Sequence, residues 1–316
     1  MSKTVHFVIV MVLVASSPAI IGAELPPSRT GGTATPGVDA EAEPEIPVDP
    51  AVLAFKRLGA DLRYDPQNQL VGLKLSGLRF TNLTMVNVKG FEHLRSFALH
   101  NTYINRAGIS HLGGLSEITS LELAGHSVTD VGLEKLAGLE KLVRLDLDRT
   151  RVTDEGLVHL SRFVNLESLS LAGNNISDAG LHHLGGLVKL ERLWLNKSRI
   201  SDEGLKQLSS LKRLNWLGVS RSKITDKGIV HLAALPDLES LYLFGCQGIT
   251  DGAMEQLASF PSLRKLFVLN CPGVTDTGLL QLQGSAITEV WVRGTGVTAE
   301  GIMAIQEKFP DFMIIR

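Results

Sequence analysis

The sequence predicts an α/β solenoid, a curved stack with a parallel β-sheet on its concave side and short helices on its convex side. Three observations carry this expectation. A period of 24 or 25 residues runs through most of the chain, as in "LVRLDLDRTRVTDEGLVHLSRFVN" from Leu142 and "LESLSLAGNNISDAGLHHLGGLVK" from Leu166. Each unit opens with L-x-x-L-x-L, the alternation of a strand with one buried face. Each then passes a turn into "[IV]-[ST]-D-x-G-L-x-x-L", where Thr153, Ser177, Ser201 or Thr225 is placed to cap a short helix. Asp154, Asp178, Asp202 and Asp226 fall in the first turn, at the positive end of the helix dipole. Leu181, Leu184 and Leu187 recur every third residue and are expected to face the strand layer. A unit this small cannot bury its own apolar face, so its neighbours must stack on it.

The elements follow in order. Residues 1–23 read as an export signal: Lys3 is basic, Phe7–Ser17 is apolar, and cleavage is expected after Ala23. The apolar run is shorter than a membrane-spanning helix needs. Ile21 stands where a small residue is preferred, which leaves an uncleaved N-terminal anchor open. Residues 24–48 are rich in Pro, Gly, Thr, Ala and acids and bury too little to order themselves, so they read as a disordered linker. Residues 49–69 form a capping helix and lead-in, with Asp49 as N-cap, Pro50 at the first helical position, and Val52, Leu53, Phe55 and Leu58 on one side. Residues 70–316 hold ten units that begin at Leu70, Leu94, Ile118, Leu142, Leu166, Leu190, Leu214, Leu238, Leu263 and Ile287. "FPDFMIIR" adds a truncated eleventh strand whose edge is expected to be only partly covered.

These motifs resemble the leucine-rich repeats from about Leu70 to Arg316. Units reading "C-x-G-[IV]-T-D-x-[GA]" are similar to the cysteine-containing subclass of F-box leucine-rich-repeat proteins, in the ribonuclease-inhibitor-like group. The shorter units are similar to those of secreted bacterial leucine-rich-repeat proteins. The resemblance implies a curved solenoid that binds proteins. A substrate-receptor role by analogy with F-box proteins is a weaker implication, because the chain shows no F-box-like segment and starts with an export signal.

Net charge is −2 with a pI near 6.5, and no polybasic run exists to neutralise phosphates, which argues against a nucleic-acid partner. The ninth position of the units reads Leu78, Thr102, His126, Thr150, Asn174, Ser198, Ser222, Cys246, Cys271 and Thr295. The resemblance implies that this side chain points inward and satisfies turn backbone groups, a role in which cysteine serves as well as Thr or Ser. A Cys246–Cys271 disulfide stays open, since adjacent parallel strands hold Cα atoms about 5 Å apart. Two thiols without convergent histidines do not make a zinc site. His111, His159, His183 and His231 share one convex position, with His182 beside His183. Helix rows diverge outward and no carboxylate orients the rings, so they read as solvated surface.

The concave face is the candidate binding surface. Its central ladder reads Lys74, Ala98, Glu122, Asp146, Ser170, Trp194, Gly218, Tyr242, Phe267 and Trp291. All three tryptophans fall on this face, Trp216 being the third, and Phe244 joins them. Arg192, Lys197, Arg221, Lys265 and Arg293 flank the rings. Trp194 to Trp291 spans about 19 Å, which suits a peptide, a partner's loop or a few sugar rings. Glu122, Asp146 and Asp148 form a second, acidic zone beside Arg144 and Arg149. Glu122 and Asp146 fall close enough for acid–base chemistry, but no residues supply a water-excluding pocket and the arginines should lower both carboxyls, so the zone reads as non-catalytic. No phosphate loop, nucleophile elbow or metalloprotease motif is present, and no cofactor is implied. The expected function is an exported, non-enzymatic scaffold, secreted, periplasmic or at the cell surface, that recognises a protein or peptide. A carbohydrate-binding module using the same rings is the alternative.

Overall fold

Leucines at the first, fourth and sixth positions of each unit commit one side of a short strand to the interior, and stacking turns those strands into one sheet. A computed structural model describes residues 49–125 and 128–316. The expected signal (1–23) and linker (24–48) lie outside the described residues, as does the ninth-position His126. The strands are β1 (Asp61–Tyr64), β2 (Leu70–Ser76), β3 (Ser96–His100), β4 (Ser120–Glu122), β5 (Arg144–Asp146) and β6 (Ser168–Ser170). They continue as β7 (Arg192–Trp194), β8 (Trp216–Gly218), β9 (Ser240–Tyr242), β10 (Lys265–Phe267), β11 (Glu289–Trp291) and β12 (Met313–Ile315). Among the described residues they form one sheet in chain order, antiparallel at β1–β2 and parallel thereafter. The expected truncated strand is β12, paired with β11.

The strands are short because the eighth residue of every unit turns left-handed. Gly77, Asn101, Gly125, Arg149, Gly173, Lys197, Arg221, Gly245, Asn270 and Gly294 all have positive φ. Glycine and asparagine accept this conformation readily. Arg149, Lys197 and Arg221, at φ of 52°, 58° and 55°, are the costly occupants.

Behind the sheet, Leu181, Leu184 and Leu187 are fully buried, as are their counterparts in the neighbouring units. The recurring aspartate does more than sit at a helix dipole: from Asp130 onward it ties its unit to the next. Asp178 accepts from Ser201 N (2.8 Å) and from Ser201 Oγ (2.5 Å). The same two-pronged rung joins Asp130 to Thr153, Asp154 to Ser177, Asp202 to Thr225, Asp226 to Thr250, Asp251 to Thr275 and Asp276 to Thr298. The expected capping role is accordingly divided. Thr225 caps its helix through its side chain, but the Ser177 and Ser201 hydroxyls go to the preceding aspartate and cap nothing, and Thr153 precedes a 3-10 segment.

The glycine of D-x-G makes room for that rung. A Cβ on Gly180 would lie 3.0 Å from Asp154 Cγ and closer still to its Oδ1. Gly132 is the instructive exception: the unit before it carries Arg106 instead of aspartate, and the nearest atom to a Cβ there is Val128 Cγ1 at 3.5 Å.

At the N-terminal end, the helix Pro50–Arg57 is capped by Asp49, whose Oδ1 accepts from Ala51 N at 2.7 Å. Val52 and Phe55 close the core, with the Phe55 ring 5.7 Å from that of Phe91. Leu53, expected on the buried side, is 37% exposed, because it lies about 100° around the helix from Val52. The lead-in holds the antiparallel strand β1, which covers the edge of β2.

Candidate functional site

The rings of the concave face form one continuous stack. Trp194 and Trp216 have centroids 4.4 Å apart, Trp216 and Tyr242 4.3 Å, Tyr242 and Phe267 3.8 Å, and Phe267 and Trp291 4.1 Å. The last two pairs are near parallel, with interplanar angles of 10° and 15°. Strand register accounts for four of the five rings: Tyr242, Phe267 and Trp291 oppose one another directly, and Trp194 opposes Gly218. Trp216 belongs two residues earlier on β8, opposite Arg192 and Ser240. Its indole leans over Gly218, where a Cβ would lie 3.0 Å from Trp216 Cζ3. A residue without a side chain thus opens a gap in the ladder, and the ring from the adjacent row fills it.

Mutual stacking sets what the surface offers. Trp216, Tyr242 and Phe267 each have a ring on both sides, so their faces are covered and their edges point to the concave opening. Phe267 is only 9% exposed, more enclosed than its outward register predicts, and the other four rings are half-buried. Burial pushes the Tyr242 phenol up from its ordinary value, against a smaller opposing effect of a hydrogen bond from Trp216, and Glu289 adds to the rise.

Two of the flanking cations have contacts that place them beside the rings. Arg221 sets its guanidinium 4.8 Å from the Phe244 ring centroid, a cation–π contact that joins Phe244 to the site. Lys265 pairs with Glu289 at 3.3 Å. Arg192, Lys197, Arg221 and Arg293 have no ion-pair partner among the described residues, and Arg192 Nε is buried without a hydrogen-bond partner.

The acidic zone is corrected at one residue. Glu122 is exposed, with an oxygen 3.4 Å from His100 Nε2, and its strand neighbour is Asp146. Asp148, expected to face outward, is 5% exposed. Its Oδ1 accepts from Ala172 N at 2.9 Å and from the Ser170 hydroxyl. Two units on, Asn196 accepts from Ser220 N at 2.9 Å in the same way, so Asp148 serves the backbone of the next unit. Burial pushes its carboxyl up, outweighing the two hydrogen bonds and the Arg149 charge that pull it down.

Among the described residues the ninth-position side chains are buried or half-buried, Leu78 in the degenerate first unit excepted at 59% exposure. Asn174 donates to Leu147 O at 2.7 Å, Thr295 to Val292 O at 2.6 Å, and Cys271 to Leu243 O at 3.1 Å. Cys246 donates to Val219 O at 3.4 Å. Both cysteines are buried free thiols, and burial, with a smaller effect of Cys246, pushes Cys271 up to about 12. A thiol held so far from ionisation is a poor nucleophile. His111, His159, His183 and His231 are half-buried rather than fully solvated. Burial lowers His111 and His183 from their ordinary value, with Lys89 and His182 adding to the respective shifts. Among the described residues, no group of three or more His, Cys, Asp or Glu is placed to hold a metal ion. No helix among them is long and apolar enough to cross a membrane.

Comparison with known proteins adds family and fold. A two-copy "Leucine Rich repeats" profile matches residues 164–207, and a single "Leucine Rich repeat" profile matches 117–137 and 138–161. Among solved structures, the chain is similar to internalin C2 from Listeria monocytogenes, with a TM-score of 0.50 and 28% identity over 61% of this chain and 78% of that one. It is also similar to an internalin (inlF) from the same organism, with a TM-score of 0.55 and 19% identity over 70% of this chain and 68% of that one, a likeness of fold alone. Comparison with curated proteins found no match.

Proposed function

From the premise that this chain is a leucine-rich-repeat protein, we propose that it is an exported, non-enzymatic scaffold that recognises a protein or peptide through its concave face. One observation carries the reading: five aromatic rings stand in a single stack across β7–β11, on the one broad surface that every unit contributes to. Such a cluster of rings with Arg and Lys around it has the composition of an interaction hot spot. The free thiols and the buried Asp148 are engaged with the backbone, and neither is poised as a nucleophile or base.

The sugar-binding alternative loses ground on the same geometry. Stacking on a sugar needs an aromatic face turned to the ligand, and the three inner rings keep both faces against other rings. A peptide needs no such face, because its carbonyl groups meet ring edges and indole N–H groups favourably.

The test is Trp194→Ala with Trp291→Ala, the two end rings, each with a single stacked neighbour. We expect capture of extracellular partners to fall at least about tenfold, in keeping with the loss of two hot-spot aromatics. Melting temperature should drop by several degrees, from about 0.5–1.5 kcal/mol lost per ring pair and from the buried area of the two half-buried rings besides. Undiminished capture by the folded variant would remove the concave face from the reading.

A further inference from the structure

The chemistry of the bound segment can be read from what the concave face leaves unsatisfied. Ring edges carry the positive side of the aromatic quadrupole, so a row of edges favours oxygen atoms over cations. Around that row cations prevail, although Glu239, at the same position of its unit as Glu191, is exposed and has no ion-pair partner among the described residues. Glu289 is taken up by Lys265 at 3.3 Å, and Glu191, at the lower margin, by Arg213 at 2.6 Å. Arg192, Lys197, Arg221 and Arg293 keep no carboxylate partner among the described residues. Arg192, opposite Trp216 in the sheet, holds a buried Nε–H that donates to nothing. That donor is closed to a ligand, so Arg192 offers an anion its charge rather than its Nε–H.

The position of two of these cations strengthens the argument. Lys197 and Arg221, like Arg149 in the acidic zone, occupy the left-handed corner that four other units give to glycine and two to asparagine between Asn101 and Gly294. Glycine there would be conformationally cheaper; for Arg221 the contact with the Phe244 ring offsets part of that cost. Both side chains stand at the rim of the ring stack, on adjacent units.

We propose that this surface takes an extended acidic peptide segment, with Asp or Glu carboxylates meeting Lys197, Arg221, Arg192 and Arg293 while backbone carbonyls lie along the ring edges. The proposal rests on the concave-face reading above and adds the class of ligand to it. Spacing makes it specific. From first ring centroid to last the stack spans at most about 17 Å, or about five residues of extended chain. Arg221 and Arg293 are three strand steps apart, about 14 Å, so two carboxylates four residues apart on one side of the peptide would reach both.

A random dodecapeptide library displayed on phage, panned on the purified chain and on the Trp194→Ala/Trp291→Ala variant, tests this. Clones retained by the native chain and lost by the variant report on the concave face. Those clones should be enriched in Asp and Glu, with acids four residues apart. As synthetic peptides they should lose about tenfold or more in affinity to Lys197→Gly/Arg221→Gly, a variant whose folding is checked by its melting temperature, since it relieves two positive-φ corners but gives up the contact with Phe244. Tryptophan-dependent clones with no acidic enrichment, or with affinity indifferent to Lys197→Gly/Arg221→Gly, would overturn the acidic-segment assignment and leave the concave-face reading standing. An absence of tryptophan-dependent clones would overturn both. A heparin tetrasaccharide bound more tightly than the best acidic clone would replace the peptide by an anionic glycan and overturn the assignment.

Discussion

Asp148 shows how a residue can look like part of a site and serve the backbone. Its carboxylate accepts from Ala172 N and the Ser170 hydroxyl, and burial raises its pKa above the ordinary aspartate value. For a carboxyl raised in this way, the favourable contribution is complete below the unfolded value and is lost as pH rises through the folded one. The charge is therefore a cost at neutral pH. Asp148→Asn keeps the accepting oxygen, as Asn196 does naturally, and should raise unfolding free energy at pH 7. The gain should shrink to nothing as pH falls below the ordinary aspartate value, as followed by denaturant titration at several pH values; a gain independent of pH would refute the cause given. Register alone placed Asp148 outward, and only the roll of the turn after the strand brings it inward. Trp216 is the converse. The sequence places it on the concave face and leaves a gap at Gly218, but a ring leaning across from the next row is a packing outcome that no spacing encodes.

At the scale of one repeat, the period reveals the D-x-G motif and its place at a helix start, while the partner of the aspartate stays hidden because it lies in the next unit. Asp154 bonds Ser177, 23 residues on, and Gly180 stands clear of the carboxylate. Gly180→Ala should cost about 1–3 kcal/mol through overpacking. In an Asp154→Ala background most of that added cost should vanish, which a double-mutant cycle of unfolding free energies measures directly. Gly132→Ala, with no aspartate over it, should instead be neutral or stabilise by up to about 1 kcal/mol. Equal costs at the two glycines would refute the rung as the reason for the motif.

At the scale of the whole solenoid, each described strand pairs with its neighbours in chain order, so stability is close to a sum of local terms and the ends matter. The N-terminal end is closed by the helix carrying Val52 and Phe55 and by β1. The helix was legible from Asp49, Pro50 and the apolar spacing; β1 was not, because "DLRY" shows no clean alternation and its pairing is long-range only in the sense of a reversed chain. Phe55→Ala should cost about 3–5 kcal/mol. Hydrogen exchange should find the loss confined to β1–β3, with β6–β10 keeping their protection. Uniform loss along the sheet would mean that the units fold as one block rather than as a series.

The ring stack has one more consequence, optical rather than energetic. Indole and phenol chromophores held about 4 Å apart couple electronically, and their coupled bands overlap those of the peptide bond in the far ultraviolet. Removing Trp194 or Trp291 would change the circular dichroism spectrum with the backbone intact, so folding of those variants is better judged by calorimetry or hydrogen exchange. The same coupling makes the concave face its own reporter: any segment that settles along the ring edges and shifts their tilt would announce itself in the spectrum, without a label.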